Sequence, residues 1–185
     1  KLLFIFAISI APIVLSYVLY YAVPHEFFQA KTVGDLLSTR PLAPLFAHTL
    51  DAKPFNNQSF LHKWVLLTLD DAACTQGCQE KLFRMRQWRL AQGEEMDRLE
   101  RVFLMRDTGH VNPAVLDLMS GGLLAQGVTP QFEAQLPIEA NHRASDYIYL
   151  IDPLGNQVFR YDLQHDRSKV LLEIRKVMKN NKRIG

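Results

Sequence analysis

The chain has 185 residues, of which 48% are hydrophobic and 22% are charged, and its formal net charge is +2 at pH 7. Because 21 Lys and Arg residues nearly balance 19 Asp and Glu residues, the composition gives no reason to expect a nucleic-acid partner. There are no internal repeats or low-complexity tracts. The part of the chain that follows the first 23 residues has the size of one domain.

Residues 1–23 are predicted to form a membrane anchor. Leu2–Val23 carries no charge, and a helix of this length spans about 33 Å, which is enough for a bilayer core of about 30 Å. A cleaved signal peptide is the alternative, but Tyr20 stands where cleavage needs a small residue. We therefore expect a single-pass protein of the bacterial inner membrane, held in the lipid bilayer, with its soluble domain in the periplasm.

The region after the anchor is predicted to be a tether followed by a hairpin. Residues 24–44 contain three prolines and one glycine, which is typical of a linker. Leu45–Leu50 and Lys53–Phe55 flank Asp51–Ala52 and predict a small hairpin. On this interpretation the folded domain covers residues 45–185.

A strand, a helix and a second strand are predicted next. Lys63–Leu69 is a continuous apolar run, as expected of a central strand covered on both faces. Thr75–Ala91 has helical periodicity, and Leu99–Met105 predicts the second strand. One stripe of the helix is apolar: Cys78, Leu82 and Met85. Its basic residues are interpreted as a solvated face: Lys81, Arg84, Arg86 and Arg89.

The remaining elements complete an α/β pattern. Asn112 is predicted to cap a short helix, whereas residues 123–144 have no clear pattern. Tyr147–Ile151 and Gln157–Tyr161 predict a second hairpin, and Ser168–Lys179 predicts an amphipathic helix. This order resembles the thioredoxin-like arrangement, an α/β fold with a mixed sheet flanked by helices.

The most informative motif is the cysteine pair where the predicted strand passes into the predicted helix. Cys74 and Cys78 are the only cysteines in the chain, and side chains four apart on a helix lie about 5–6 Å apart. Such a pair can form a disulfide, or it can hold a soft metal ion such as copper together with an imidazole. An inert pair is a third interpretation, although so small a loop would constrain the unfolded chain little.

Individual roles follow from the position of each residue. A thiolate at a helix N-terminus is stabilised by the helix dipole, so Cys74 is the expected nucleophile and Cys78 the resolving cysteine. Among six histidines, His142 is the best candidate for a metal ligand, because it shortly precedes the strand expected to run beside the cysteine-bearing strand.

Three segments in order resemble the Sco (SenC-like) family of membrane-anchored, thioredoxin-like copper and thiol proteins of cytochrome c oxidase biogenesis. They are Leu50–Phe55, Lys63–Leu67 followed by Cys74-x3-Cys78, and Tyr149–Gly155. The chain resembles a divergent branch, since Thr75 stands where the family has Pro. The family's histidine ligand would fall at Ala144, two residues from His142. A displacement of two residues keeps a side chain on the same face of a strand, so a shifted loop would let His142 complete a copper site with Cys74 and Cys78. The alternative is that the ligand is lost, which would leave a dithiol reductant or a redox-inert accessory.

The function that the resemblance implies is maturation of the copper site of cytochrome c oxidase, by copper binding, by thiol–disulfide exchange, or by both. The partner would be cytochrome c oxidase or its copper-bearing subunit. The chain would then be a copper chaperone or a thiol–disulfide reductase rather than a turnover enzyme. The alternative is a non-catalytic accessory subunit or scaffold bound stably to a respiratory oxidase complex. A general thiol–disulfide oxidoreductase is expected less, because such enzymes usually have Cys-x2-Cys spacing.

Overall fold

The structure, a computed structural model, describes residues 2–22 and 32–181, with side chains described for residues 9–21 and 32–181. The chain divides into two compact units, Lys1–Lys31 and Thr32–Gly185.

The first unit contains helix α1, Leu2–Ala22, which includes Pro12. Among the described residues, no helix is both long and apolar enough to cross a bilayer. The transmembrane anchor over residues 1–23 therefore stays a prediction, and residues 1 and 23 lie outside the described part, as do residues 24–31 of the predicted tether.

The second unit is built from strands and helices in an α/β order. Its described strands are β1 Asp35–Pro41, β2 Phe46–His48, β3 Pro54–Asn56, β4 Trp64–Asp70, β5 Leu99–Met105, β6 Leu123–Gln126, β7 Ile148–Ile151 and β8 Asn156–Tyr161. Its described helices are α2 Gln76–Leu90, α3 Pro113–Leu118, α4 Pro130–Glu133 and α5 Arg167–Asn180. Short 3₁₀ segments lie at Asn57–Phe60, Gly93–Arg98 and Ala144–Asp146.

The strands form one mixed sheet in the order β1-β8-β7-β4-β5-β6-β2-β3. Strands β4, β5 and β6 run parallel to one another, and the other pairs are antiparallel. The prediction of a thioredoxin-like α/β fold with a mixed sheet flanked by helices is thereby confirmed. Residues 64–69 of the central strand β4 are all buried, as its continuous apolar run predicts.

Two hydrophobic cores lie on opposite faces of the sheet, because successive strand side chains point to opposite sides. Leu66 packs into the core shared with α2 and α5, whereas Val65 and Leu67 pack into the other core. The predicted apolar stripe of α2 is confirmed, since Cys78, Leu82 and Met85 are buried in the first of these cores. Full burial of one such Leu or Met side chain contributes about 1.5–3 kcal/mol.

The edge strand β1 lies within the segment predicted to be a tether. Asp35 and Leu36 pair antiparallel with β8, and Glu173 of α5 accepts the backbone N–H of Gly34 at 2.9 Å. Most side chains of β1 are exposed or half-exposed. The strand therefore joins the sheet mainly through its backbone. For this reason its sequence lacks the alternation of apolar and polar residues that would predict a strand.

Several local predictions agree with the structure. Strand β5 has the predicted bounds, and β2 and β3 form the predicted hairpin. Asn112 caps α3, because its side chain accepts the N–H of Ala114 at 3.0 Å. Strand β6 and helix α4 occupy the region without a clear pattern.

Candidate functional site

A disulfide joins Cys74 and Cys78 at the start of α2. The two Sγ atoms are 1.94 Å apart and the two Cα atoms 5.2 Å apart. Each residue is only 1% exposed. The sequence allowed three interpretations of this pair, and in the structure the two cysteines form a disulfide.

The backbone places the two cysteines differently. Cys74 has φ of +40°, in the left-handed region that residues with a side chain adopt rarely. It precedes the N-cap residue Thr75, whereas Cys78 is the third residue of α2. The side-chain amide of Gln79 donates to the carbonyl of Cys74 at 2.9 Å. Cys74 is therefore connected to the first turn of α2 in two ways, by the disulfide to Cys78 and by the hydrogen bond from Gln79.

The cysteine loop, defined here as residues 71–75, is held by the segment that follows β5. Asp107 accepts the N–H of Ala72 at 2.8 Å. The side chain of Asn112 donates to the carbonyl of Ala73 at 3.1 Å, and its backbone N–H donates to Ala72 at 3.1 Å. These contacts fix Ala72 and Ala73 of the loop to the segment after β5.

A polar cavity of about 400 Å³ opens beside the disulfide. Cys78 lines this cavity and Cys74 does not. The other lining residues are Asp70, Asp71, Thr75, Gly77, Lys81, Arg106, His142, Arg143, Ser145, Asp146, Asp162, Leu163 and Gln164. Acidic and basic groups therefore share this cavity with Cys78.

Lys81 lies in this cavity and is buried, contrary to the prediction of a solvated basic face. Its ammonium is 3.2 Å from the carboxylate of Asp70 and also donates to the carbonyl of Ser145. Burial lowers the pKa of Lys81, and the charge of Asp70 opposes that effect. Residue 81 is three positions after Cys78, on the same helix face. That spacing is the signal by which the sequence could have placed Lys81 at the site.

Arg106 anchors the acidic residues at the end of β4. Its guanidinium contacts Asp71 at 2.9 Å, Asp70 at 3.7 Å and Glu133 at 3.3 Å. Burial lowers the pKa of Arg106, but the hydrogen bond to Asp71 and these three carboxylates raise it above its ordinary value. The guanidinium thus stays charged and balances the carboxylates around the cavity.

His142 lines the same cavity as Cys78, with 43% of its side chain exposed. Its ring stacks on Tyr147 with centroids 5.6 Å apart, and its Nδ1 lies 3.9 Å from Asp146. Ala144, where the Sco resemblance would place the ligand, is buried. The structure therefore brings His142 to the cavity that Cys78 lines.

The disulfide state does not fit a bound copper ion. Copper ligation needs thiolates, and both sulfur atoms are engaged with each other. Within residues 2–22 and 32–181, no three His, Cys, Asp or Glu side chains are arranged to hold a metal ion. The ligand set Cys74, Cys78 and His142 thus stays a prediction that concerns the reduced protein.

Residues 64–180 match the family model for the transmembrane-like, thioredoxin-like, C-terminal domain. The chain belongs to this family. The match runs from the first residue of β4 to the last residue of α5 and so includes both cysteines. No curated protein sequence matches the chain.

Solved structures of this fold include several Sco proteins. Yeast Sco1 with copper bound is 18% identical, with a TM-score of 0.60 over 82% of this chain and 95% of that chain. A SCO1/SenC family lipoprotein from Bacillus anthracis is 16% identical, with a TM-score of 0.58 over 77% and 98%. BsSco is a member of the Sco family of cytochrome c oxidase assembly proteins in which a disulfide switch has been identified. It is 11% identical, with a TM-score of 0.56 over 80% of this chain and 99% of that chain. The Sco resemblance is thus confirmed for the fold, and the low identities fit a divergent branch of this thioredoxin-like family.

Proposed function

We propose that the chain is a Sco-like thiol–disulfide exchange protein that serves the maturation of cytochrome c oxidase. The observation that carries this proposal is the Cys74–Cys78 disulfide at the start of α2, where Cys78 lines a polar cavity. The bond closes a loop of only a few residues, so it stabilises the fold by about 2 kcal/mol, which is less than a bond across a longer loop would contribute. A bond of this kind is better suited to exchange than to holding distant parts of the chain together.

The partner proposed is cytochrome c oxidase or its copper-bearing subunit. The support is the shared fold with BsSco, a member of the Sco family of cytochrome c oxidase assembly proteins. The chemistry is specific: a dithiol can reduce a disulfide between cysteines that must bind copper as thiolates.

The exchange proposal is tested by labelling thiols before and after treatment with a mild dithiol reductant. Two labels should be incorporated after reduction and none before, and the reduced chain should be reoxidised by a disulfide peptide from the copper-bearing subunit. Cys74→Ser should abolish reoxidation to the intramolecular disulfide, whereas Thr75→Ala, which keeps both cysteines, should retain it. A disulfide that resists reduction in the folded protein, or a Cys74→Ser variant that cycles like the original, would overturn the proposal.

Copper delivery is a second candidate function, favoured by the placement of His142 and Cys78 at one cavity. In the reduced protein Cys74, Cys78 and His142 would hold the ion, since soft thiolates suit Cu(I) and an imidazole also suits Cu(II). Titration of the reduced chain with Cu(I) should give one ion per chain, none in Cys74→Ser and weaker binding in His142→Ala. His165→Ala is the matched control, because His165 does not line the cavity. Equal affinities in the two histidine variants would remove His142 from the ligand set.

The third candidate is a non-catalytic accessory subunit or scaffold of a respiratory oxidase complex. The observation that favours it is the burial of both cysteines, each 1% exposed. Stable co-purification with an oxidase, together with a disulfide that does not cycle, would support it. A chain that cycles and is absent from the purified oxidase would exclude it.

The location proposed is the bacterial inner membrane, with a single-pass anchor in the lipid bilayer and the second unit in the periplasm. The support is the uncharged segment Leu2–Val23, the disulfide, which persists in an oxidising compartment, and the lipoprotein description of the Bacillus anthracis structure. The full chain should sediment with membranes and resist extraction by salt. Deletion of Leu2–Val23 should release it, and an unchanged distribution would contradict the anchor.

A further inference from the structure

The two cysteines of the disulfide differ in their position relative to the cavity. Both residues are 1% exposed, but Cys78 lines the cavity of about 400 Å³ and Cys74 does not. Gly77, next to Cys78, also lines this cavity, and a Cβ atom added there would meet nothing within 4 Å. A partner segment in this cavity would therefore lie against Cys78 and not against Cys74.

Lys81 adds a positive charge to the cavity that Cys78 lines. It follows Cys78 by three residues on the same helix face and lines the same cavity. An ammonium group has three N–H donors, and the bonds described for Lys81 engage Asp70 and the carbonyl of Ser145. One donor is thus left for the cavity, in a buried position where charges interact more strongly than in water.

We propose that Cys78, rather than Cys74, is the sulfur that exchanges with the partner, and that the ammonium of Lys81 stabilises the negative charge on this sulfur. This inference rests on the proposed exchange function and deepens it. It reverses the roles expected from sequence, in which proximity to the helix N-terminus favours Cys74. Lys81 is a positioning residue on this view, because it acts through Cys78.

The proposed reaction is a two-step exchange. The Cys78 thiolate attacks one sulfur of the partner's disulfide, so that a mixed disulfide forms, the partner's own S–S bond breaks, and the released thiolate takes up a proton. Cys74 then loses its proton to solvent and attacks Cys78. The Cys74–Cys78 bond forms, the mixed disulfide breaks, and the partner's second thiolate is protonated. The chain loses two electrons and the partner gains two, and an external dithiol reverses the sequence.

The other charges at the cavity do not replace Lys81 in this role. The charged or titratable groups that line it, apart from Lys81, are Asp70, Asp71, Arg106, His142, Arg143, Asp146 and Asp162. Arg106 is engaged with three carboxylates, and His142 packs on Tyr147 near Asp146. Lys81 is the cation one helical turn from Cys78, on the same helix face.

The first experiment identifies the reacting sulfur in the full chain. Reduced Cys74→Ser and Cys78→Ser are mixed with dithiodipyridine, an uncharged aromatic disulfide, and the released thiopyridone is followed by absorbance. Cys74→Ser, which keeps Cys78, should react roughly tenfold faster than Cys78→Ser, as expected where one of two buried thiols has an opposite charge nearby. Mass spectrometry should locate the mixed disulfide at Cys78.

The second experiment tests Lys81 in the Cys74→Ser background. Lys81→Met should slow the reaction roughly tenfold, and Lys81→Arg should restore most of the rate because it keeps the positive charge. Lys176→Met, on an exposed face of α5, is the matched control and should leave the rate unchanged. Thermal unfolding of each of these single-cysteine variants verifies that it is folded.

The outcomes separate this inference from the proposed function. If the reduced original chain does not react with dithiodipyridine or with the partner peptide, the exchange function itself fails. If it reacts but the mixed disulfide lies at Cys74, the exchange function stands and the inference is overturned. If Lys81→Met and Lys81→Arg slow the reaction equally in folded proteins, the role of the charge is overturned.

Discussion

The ammonium of Lys81 lies 3.2 Å from the carboxylate of Asp70, and the side chain of Lys81 is only 3% exposed. Asp70 is the last residue of β4, and Lys81 lies in the second turn of α2. The ion pair therefore connects the two elements between which the cysteine loop runs. It ties the position of the disulfide to the central strand of the sheet.

We expect Asp70→Ala to lower the free energy of unfolding by about 3 kcal/mol, because it leaves Lys81 buried without its carboxylate partner. Lys81→Met should cost less, since Asp70 keeps Arg106 at 3.7 Å. Urea unfolding of the oxidised protein measures both. Asp97→Ala is the control, since Asp97 pairs with Arg89 but is 83% exposed, and it should change stability by less than about 1 kcal/mol. Equal losses in Asp70→Ala and Asp97→Ala would contradict the role given to the buried pair.

Elements with a strong local signal could be predicted from the sequence. Strand β5, the helix cap at Asn112 and the apolar stripe of α2 each depend on neighbours along the chain, and all agree with the structure. Strand β1 could not be predicted, because its pairing uses the backbone and its side chains are mostly exposed. What joins it to the fold is its pairing with β8, together with a contact between residues 34 and 173, and these partners are far apart in sequence.

The candidate site was predictable only in part for the same reason. The spacing of Cys74 and Cys78 predicts that they can pair, and the disulfide is present. The spacing from Cys78 could place Lys81 on the same helix face, but the burial of Lys81 involves Ser145, which is 64 residues away in the sequence. Most residues that line the cavity with Cys78 are likewise distant from it in the sequence.

Reduction of the disulfide should leave the second unit folded. The chain-entropy cost of so short a loop corresponds to about 2 kcal/mol, and both hydrophobic cores consist mainly of residues outside the loop. Urea unfolding with and without a dithiol reductant should show a free energy of unfolding that is lower by about 2 kcal/mol after reduction. The dependence of this free energy on urea concentration should be unchanged. A cooperative loss of structure on reduction alone would mean that the bond is structural.

Gly34→Ala should lower the free energy of unfolding by about 1–3 kcal/mol, through overpacking at a well-packed site. A Cβ atom at Gly34 would overlap the ring of Tyr161 and lie 3.1 Å from the carbonyl of Arg160. Gly77→Ala is the matched control, because its Cβ would meet nothing within 4 Å, and Ala is a better helix former than Gly. Urea unfolding should give opposite signs for the two variants. A neutral Gly34→Ala would show that the start of β1 does not pack on the domain.

The stability of the second unit should depend on Asp162 at acid pH. Burial raises the pKa of Asp162, but the backbone N–H groups of Gln164 and His165 and the His165 ring bring it below the ordinary value of 3.8. A lowered pKa in the folded state gives stability that is present above 3.8 and is lost as the pH falls through the folded value. Urea unfolding from about pH 5 to about pH 2 should therefore show a smaller loss in Asp162→Asn than in the original chain. The same dependence of the free energy of unfolding on pH in both proteins would contradict the contribution of Asp162.

Asp107 should control how readily the disulfide is reduced. Its carboxylate accepts the N–H of Ala72 at 2.8 Å and so holds the cysteine loop in place. Asp107→Ala should lower the free energy of unfolding by about 1 kcal/mol, the usual contribution of one hydrogen bond, and should speed reduction by a small dithiol, because a looser loop opens more often. Asp107→Asn keeps an oxygen acceptor at the same position and should stay close to the original rate. Reduction is followed by quenching with a thiol label and mass spectrometry at a fixed reductant concentration. Equal rates in the Ala and Asn variants would show that the hydrogen bond does not restrain the loop.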